Sequence, residues 1–338
     1  MKHEVDLSIY KIRTDLLIDE VNDISKTIVE QKNRIENDIN INTTIVKEDT
    51  DIKRKGIYTT ISFEDITDIN NYKNVEKVFK EELSRIINNI NLNKDYKTLI
   101  IGLGNRNSTP DSLGVKVCDN IITTRHIALL SELGEEYRIV SSFTPDVMGN
   151  TGIEAQDIIK GLIKEIEFDL IIVVDALASS NIERLNKTIQ LTDSGISPGS
   201  GVGNYRKELS KEVLGIPVIA IGVPTVVDAS TIVTDTFNLL IKKLEYMKNN
   251  DSKEKLKVKE QVNYLKEKRN KLNKEEKNNL LGLLGNLKEE ELKILIDEIL
   301  TPVGYNMMVT PKEIDFIIDK LSLLISKGIN TTIHNIKI

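Results

Sequence analysis

"KTLIIGLGNRNSTPDSLG", Lys97 to Gly114, is the stretch whose reading decides the fold. A β-rich run leads straight into Gly102, Gly104 and a polar turn, the form of a strand delivering a loop to the ligand-binding edge of an open α/β sheet. The loop resembles a phosphate cradle, yet it ends on Asp111, and a fixed carboxylate beside a phosphate costs Coulomb energy. A GxGxxG fingerprint would need glycine at 107, where Asn107 stands, and no GxxxxGK[ST] occurs anywhere. The loop therefore carries an acid to the sheet edge.

Working outward, RIVSSF, DLIIVVDAL and IPVIAIGV are further β-rich runs separated by helical patterns, as in βαβ units around a parallel sheet. Ile153, Ile158, Ile159, Leu162, Ile163 and Ile166 recur at helical spacing behind Thr151-x-x-Glu154, which predicts a capping box. Gly56 to Phe63 alternates like a half-buried strand, and Val75 to Ile90 reads as an amphipathic helix. The expected fold class is a layered α/β/α domain with a mostly parallel or mixed sheet, plus a helical C-terminal region. That domain is expected to run to residue 244. A Lys-, Glu- and Asn-rich arm or linker follows over 245–285, and helices over 286–338 pack back on the domain. In the last helix Thr310-Pro311-Lys312-Glu313 predicts a capped start, and Gly328 a C-terminal stop.

The chain has 338 residues and a formal net charge of −6, which argues against a surface that grips nucleic acid. One cysteine, Cys118, leaves no internal disulfide, and three histidines give no HExxH pair and no closed zinc site. No apolar run approaches the roughly 20 residues needed to span a bilayer. A cytoplasmic protein is expected, with no membrane or nucleic-acid partner and no metal or organic cofactor.

Asp175 follows DLIIVV and so is expected at the carboxyl end of a buried strand, on the same edge as the Asp111 loop. Either acid alone could be a helix cap or an ion-pair partner. Together, with no histidine or cysteine nucleophile at hand, they suit a carboxylate pair sharing a proton, one acid donating while the other activates water. Asp193, in a D-S-G, and Asp228, after GVPTVV, read as turn or capping residues that could also line the crevice. Ser200 lies between glycines, but Pro198 stands where a nucleophile elbow needs glycine. His126 reads as structural, and Arg125 as an exposed helix residue that could face the crevice. Two rivals stay open: a metal-assisted hydrolase using the same two carboxylates, and a non-catalytic α/β protein that binds an anion or nucleotide.

The motifs GLGNRNSTPDSLG, TTRHI, VMGNTGIE, VVDALAS, RLNKTIQLTDSGISPGSGVGN, LGIPVIAIGVPTVVDAST and MMVTPKEIDFIIDKLS, taken in order, resemble the germination protease (spore protease) family of endospore-forming bacteria. The resemblance implies an atypical aspartic endopeptidase, similar in fold to hydrogenase-maturation endopeptidases. It implies an enzyme acting as a homotetramer in the forespore or spore core on small acid-soluble spore proteins. It further implies catalytic roles for Asp111 and Asp175. The match of YKIRTDL implies a zymogen whose propeptide, residues 1–15, is removed by its own cut between Asp15 and Leu16. Since the family cuts after glutamate and before an apolar residue, Arg125 becomes the first candidate to read the acid before the cut. Two departures from the family pattern are Val115 and Asp146, where proline and glycine are expected.

Overall fold

The computed structural model describes residues 14–20, 24, 28–50, 53–199, 206–249, 271–287, 289–300 and 307–336. Contacts divide the described chain into two compact units, one within 12–227 and 310–338, the other within 228–309. Ser200 and residues 1–13 of the expected propeptide lie outside the described residues, as do positions 250–270 of the expected arm.

The first unit is built on eight strands: β1 (Val29–Glu36), β2 (Ile39–Val46), β3 (Gly56–Ser62), β4 (Thr98–Gly102), β5 (Val140–Phe143), β6 (Leu170–Ser179), β7 (Thr188–Thr192) and β8 (Val218–Asp228). They lie in the order β1-β2-β3-β7-β8-β6-β4-β5. β5, β4, β6 and β8 are parallel, whereas β7, β3, β2 and β1 add on antiparallel, so the sheet is mixed. The β1–β2 hairpin and β7 have no counterpart in the sequence reading. The hairpin had a local signal: Asn37 and Asp38 take φ of 48° and 65°, as a two-residue type I′ turn requires and as Asn and Asp tolerate.

The helices of this unit are α1 (Leu17–Glu20), α2 (Ile69–Asn89), α3 (Leu113–Asp119), α4 (Arg125–Ala128), α5 (Met148–Thr151), α6 (Ala155–Glu165) and α7 (Lys211–Leu214). The second unit holds α8 (Ala229–Asn249), α9 (Lys274–Leu281) and α10 (Glu289–Leu300), and α11 (Ile314–Ile333) returns the chain to the first. Strand alternation splits the core. On β6, Leu170, Ile172 and Val174 join the cluster that includes Phe79 of α2, Leu113 of α3 and Ile318 of α11. Ile171 and Val173 face the other way, towards Ile159 of α6 and Leu214. Cover on both faces explains why DLIIVV is continuously apolar rather than alternating. Asp175, two residues after Val173, thus belongs to the α6 face. A third cluster of Leu17, Ile24, Val46 and Tyr58 seats the N-terminal segment.

Several local expectations change. α2 begins at Ile69, because the Asp68 side chain accepts from Asn71 N. The Thr151–Glu154 box does not form. Thr151 ends α5, and its hydroxyl accepts from Ile153 N, so α6 starts at Ala155 and leaves Ile153 exposed. Thr310 donates to the carbonyl of Thr225 instead of capping α11, which starts at Ile314. Gly328 does not stop that helix, which runs on to Ile333. A Cβ there would lie 2.5 Å from Phe79 Cε1, so the glycine is what lets α11 lie close on α2. Gly328→Ala should therefore cost about 2 kcal/mol of unfolding free energy by overpacking, despite alanine's better helix propensity. Urea denaturation measures it, and pairing the change with Phe79→Leu should recover much of the loss.

In the second unit, α9 carries a complete capping box between Asn273 and Glu276. Glu245 of α8 accepts from Leu272 N at 3.1 Å. No helix among the described residues is long and apolar enough to cross a membrane.

Candidate active site

The loop from Gly102 to Gly114 is shaped by close approach of backbone. Leu103 N donates to the carbonyl of Val174 at 2.9 Å, tying the end of β4 to β6. A Cβ on Gly114 would meet that carbonyl, the oxygen of Leu103 at 2.5 Å and the nitrogen of Leu103 at 2.7 Å. A Cβ on Gly104, whose φ is 104°, would fall on the Asp111 backbone. Gly102 and Gly114 thus let the start of α3 press against β4 and β6, and Gly104 lets the loop close on Asp111, rather than forming a phosphate cradle. That contact holds Asp111 near enough to Asp175 for its charge to bear on that carboxyl.

Asp175 is not at the end of its strand. It is the sixth residue of ten, because β8 keeps pairing with β6 as far as Ser179. The shorter neighbour β4 stops at Gly102, opposite Val174, so Asp175 is the first residue of β6 beyond β4. The residue is 5% exposed, and its Oδ1 accepts from Ala176 N at 2.9 Å. Burial holds the Asp175 carboxyl well above the usual carboxylate range, and the charges of Asp111 and Asp15 push the same way. Asp111 closes a short 3-10 turn before α3, and its Oδ2 accepts from Asn105 N at 2.9 Å. Burial pushes Asp111 up to about 6, with the charge of Asp146 adding to it and the Asn105 hydrogen bond opposing it. Two carboxyls from different elements are thus coupled, and both hold protons more tightly than free aspartate does.

Asp146 is one of the two departures from the family pattern, and its φ of 63° lies in the left-handed region that favours glycine. Its Oδ1 accepts from Val147 N at 2.7 Å and from Asn150 Nδ2 at 3.0 Å. The position explains the expected glycine, and the carboxylate bears on Asp111. In the carboxylate-pair mechanism proposed below, Asp146→Gly should shift the acidic limb of the activity profile, which the pair sets together, to lower pH by about 0.5. Initial rates across pH 4 to 8 measure it. Val115, the other departure, is buried in the first turn of α3, where proline would also be accommodated.

The segment from Thr14 to Glu20 is docked on the far end of β6. Asp15 N donates to Ala178 O at 3.0 Å, and Ala178 N donates back to Asp15 Oδ2 at 2.9 Å. A register shift between Leu177 and Ala178 turns the strand at this point. Asp19 accepts from Thr14 Oγ1 at 2.6 Å and Ser180 N at 3.0 Å and pairs with Arg184. Leu16 is completely buried. Asp15 borders a cavity of about 240 Å³ together with Lys53, Arg54, Tyr58, Gln190 and Gly222.

The other candidates lie as follows. Arg125 opens α4, half-exposed, and is not among the residues lining that cavity; the cations there are Lys53 and Arg54. His126 is exposed on the same helix. Asp193 Oδ1 accepts from Ile57 N at 2.7 Å, tying the end of β7 to β3, and burial raises its carboxyl above the usual range. Asp228 Oδ1 accepts from Ser230 N and Oγ, both at 2.8 Å, at the start of α8. Cys118 is buried, and burial pushes its thiol up to about 11. No cluster of three His, Cys, Asp or Glu side chains within metal-binding reach occurs among the described residues.

Sequence reading missed Lys53 and Gln190. Lys53 falls in a charged run that reads as a solvated loop. Gln190 carried a usable signal, since in TIQLT the polar residues alternate with two core residues and therefore face the crevice side.

The family model of the germination protease matches residues 11–337. The germination protease of Bacillus velezensis is 44% identical, covering 98% of this chain and 96% of its own. That of Bacillus subtilis is 43% identical, with the same coverage. That of Priestia megaterium is 41% identical, covering 99% of this chain and 97% of its own. Among solved structures, the [NiFe] hydrogenase maturation protease HycI from Thermococcus kodakarensis aligns at 20% identity over 38% of this chain and 74% of that one. Its TM-score of 0.25 is too low to bear on fold or activity. From end to end, in residues and in motifs, the chain belongs to the germination protease family.

Proposed function

We propose that this peptidase is an atypical aspartic endopeptidase that initiates degradation of small acid-soluble spore proteins at germination, and that Asp111 and Asp175 activate the attacking water between them. The observation carrying this reading is the coupling of two buried carboxyls, both with raised proton affinity, beside a docked segment of the chain's own backbone. In the singly ionised pair, the carboxylate takes a proton from water as its oxygen adds to the peptide carbonyl carbon. The neighbouring carboxyl hydrogen-bonds the carbonyl oxygen. Collapse of the tetrahedral adduct breaks the C–N bond, and the amine leaves with a proton. Coupled groups titrate as a pair, so the two roles belong to the pair rather than to one named acid.

The enzyme is further proposed to be a zymogen that removes residues 1–15 by cutting between Asp15 and Leu16, and to work as a homotetramer in the cytoplasm of the forespore and spore. The docking of Asp15 at β6, where its charge bears on Asp175, supports the first point. A purified small acid-soluble spore protein incubated with the wild-type chain and followed by mass spectrometry tests the substrate. New termini after glutamate, formed equally with and without EDTA, are expected. Cleavage that EDTA abolishes and added divalent metal restores would favour metal-assisted hydrolysis by the same carboxylates. An intact substrate under all conditions would overturn the assignment.

A further inference from the structure

The register across the sheet puts Asp175 opposite Gly222 and Gly222 opposite Gln190. Residues directly paired across strands share a face. With strands about 4.8 Å apart, Gln190 therefore stands about 10 Å along one row from Asp175, on the same face. Gly222 itself contributes no side chain between them. Leu177, two residues after Asp175, fills that space, and a Cβ at position 222 would lie 2.5 Å from its Cγ. The backbone of residues 15 to 17 lies against Gln190 at one end of this row and against Ala178 further along β6.

Gln190 spans that backbone. Its Oε1 accepts from Leu17 N at 2.9 Å, and its Nε2 donates to Asp15 O at 3.5 Å. Lys53 Nζ donates to the same carbonyl at 3.1 Å. It also pairs with Glu20 at 3.1 Å, and its side chain is only 16% exposed. One carbonyl thus faces a partly buried ammonium and a carboxamide, and it belongs to the peptide between Asp15 and Leu16.

We propose that Lys53 and Gln190 form the carbonyl-binding site for the Asp15–Leu16 peptide. Gln190 fixes the backbone on both sides of the bond. Lys53 stabilises the negative charge that the carbonyl oxygen acquires when water adds to its carbon. This rests on the self-cleavage reading above. The step is balanced by water alone: its oxygen bonds to the Asp15 carbonyl carbon, the bond to Leu16 N breaks, and the departing amine takes the proton. An ammonium already at hydrogen-bonding distance needs no rearrangement as the charge develops, which is the condition for a large electrostatic contribution.

The test is the rate at which the purified full-length chain loses residues 1–15, followed by intact mass, for wild type, Lys53→Met, Lys53→Arg, Gln190→Leu, Glu20→Gln and Asp175→Asn. Lys53→Met should slow the loss about 100-fold and Gln190→Leu about 10-fold, with Lys53→Arg recovering part of the rate. Glu20→Gln, which removes the ion pair but keeps the ammonium, should stay within about 3-fold of wild type. Thermal unfolding in an Asp175→Asn background, where no cutting occurs, should show Lys53→Met folded. If it is not, Lys53→Gln carries the same expectation. Processing of Lys53→Met at the wild-type rate, or equal slowing by Glu20→Gln, would overturn the proposal while leaving self-cleavage intact. A wild type that never loses residues 1–15 would instead remove the self-cleavage reading itself.

Discussion

Asp175→Asn is expected to abolish proteolysis, by about 10⁴-fold or more, while making the protein more stable at neutral pH. The two effects have one cause. Asparagine keeps the acceptor for Ala176 N but cannot ionise, so the proposed pair could no longer share a proton. The stability effect follows from linkage: a carboxyl whose folded proton affinity exceeds its unfolded one makes the folded state bind more protons. Its contribution to stability is greatest below the unfolded value near 4 and is lost as pH rises through the folded value. The native aspartate is therefore a liability at pH 7 that asparagine removes. A gain of about 3 °C in Tm at pH 7, shrinking towards pH 4, is expected by calorimetry. Asp111→Asn should behave alike with a smaller gain, its folded carboxyl being pushed up to about 6. A variant that lost both activity and stability at pH 7 would indicate a structural role for Asp175.

The second large effect is expected at Gly114. Alanine there would drive its Cβ into the carbonyl of Val174 and the backbone of Leu103, none of which can move without parting β4 from β6. A loss of about 3 kcal/mol or more is expected from such overpacking. The start of α3 should retreat from β6, carrying Asp111 away from Asp175. Cleavage should then fall about 100-fold even where the variant is still folded, because the proposed chemistry depends on the placement of both acids. Urea denaturation and rates measured well below the unfolding midpoint separate the two effects. The same change at Gly215, whose Cβ would meet nothing within 4 Å, offers a contrast in space, although its φ of 74° adds backbone strain there.

Much of this arrangement is legible from residues alone. The parallel strands β4, β6 and β8 are written in apolar runs, because burial on both faces leaves no polar alternation to confuse, whereas β5 is a short edge strand, VSSF, only partly buried. Asp175 stands out as a lone acid directly after an apolar run, and Asp111 as the acid that ends the polar loop leaving β4. What the sequence conceals is mostly tertiary. Asp175 looks like a strand terminus but is mid-strand, since only the length of β8 decides where β6 stops. Gly328 looks like a helix stop but is a contact, since only Phe79 on a distant helix makes its missing Cβ matter. The boxes at Thr151 and Thr310 have the right letters, yet each threonine has another partner within reach. Lys53 was illegible because its meaning depends on the carbonyl of a residue 38 positions away.

The most direct test of the aspartate pair is the intact mass of the purified chain over time at mildly acidic and neutral pH, with and without EDTA, for wild type, Asp111→Asn and Asp175→Asn. The expected result is loss of residues 1–15 by the wild type alone, unaffected by EDTA. Equal loss by either variant would contradict the assignment of the pair.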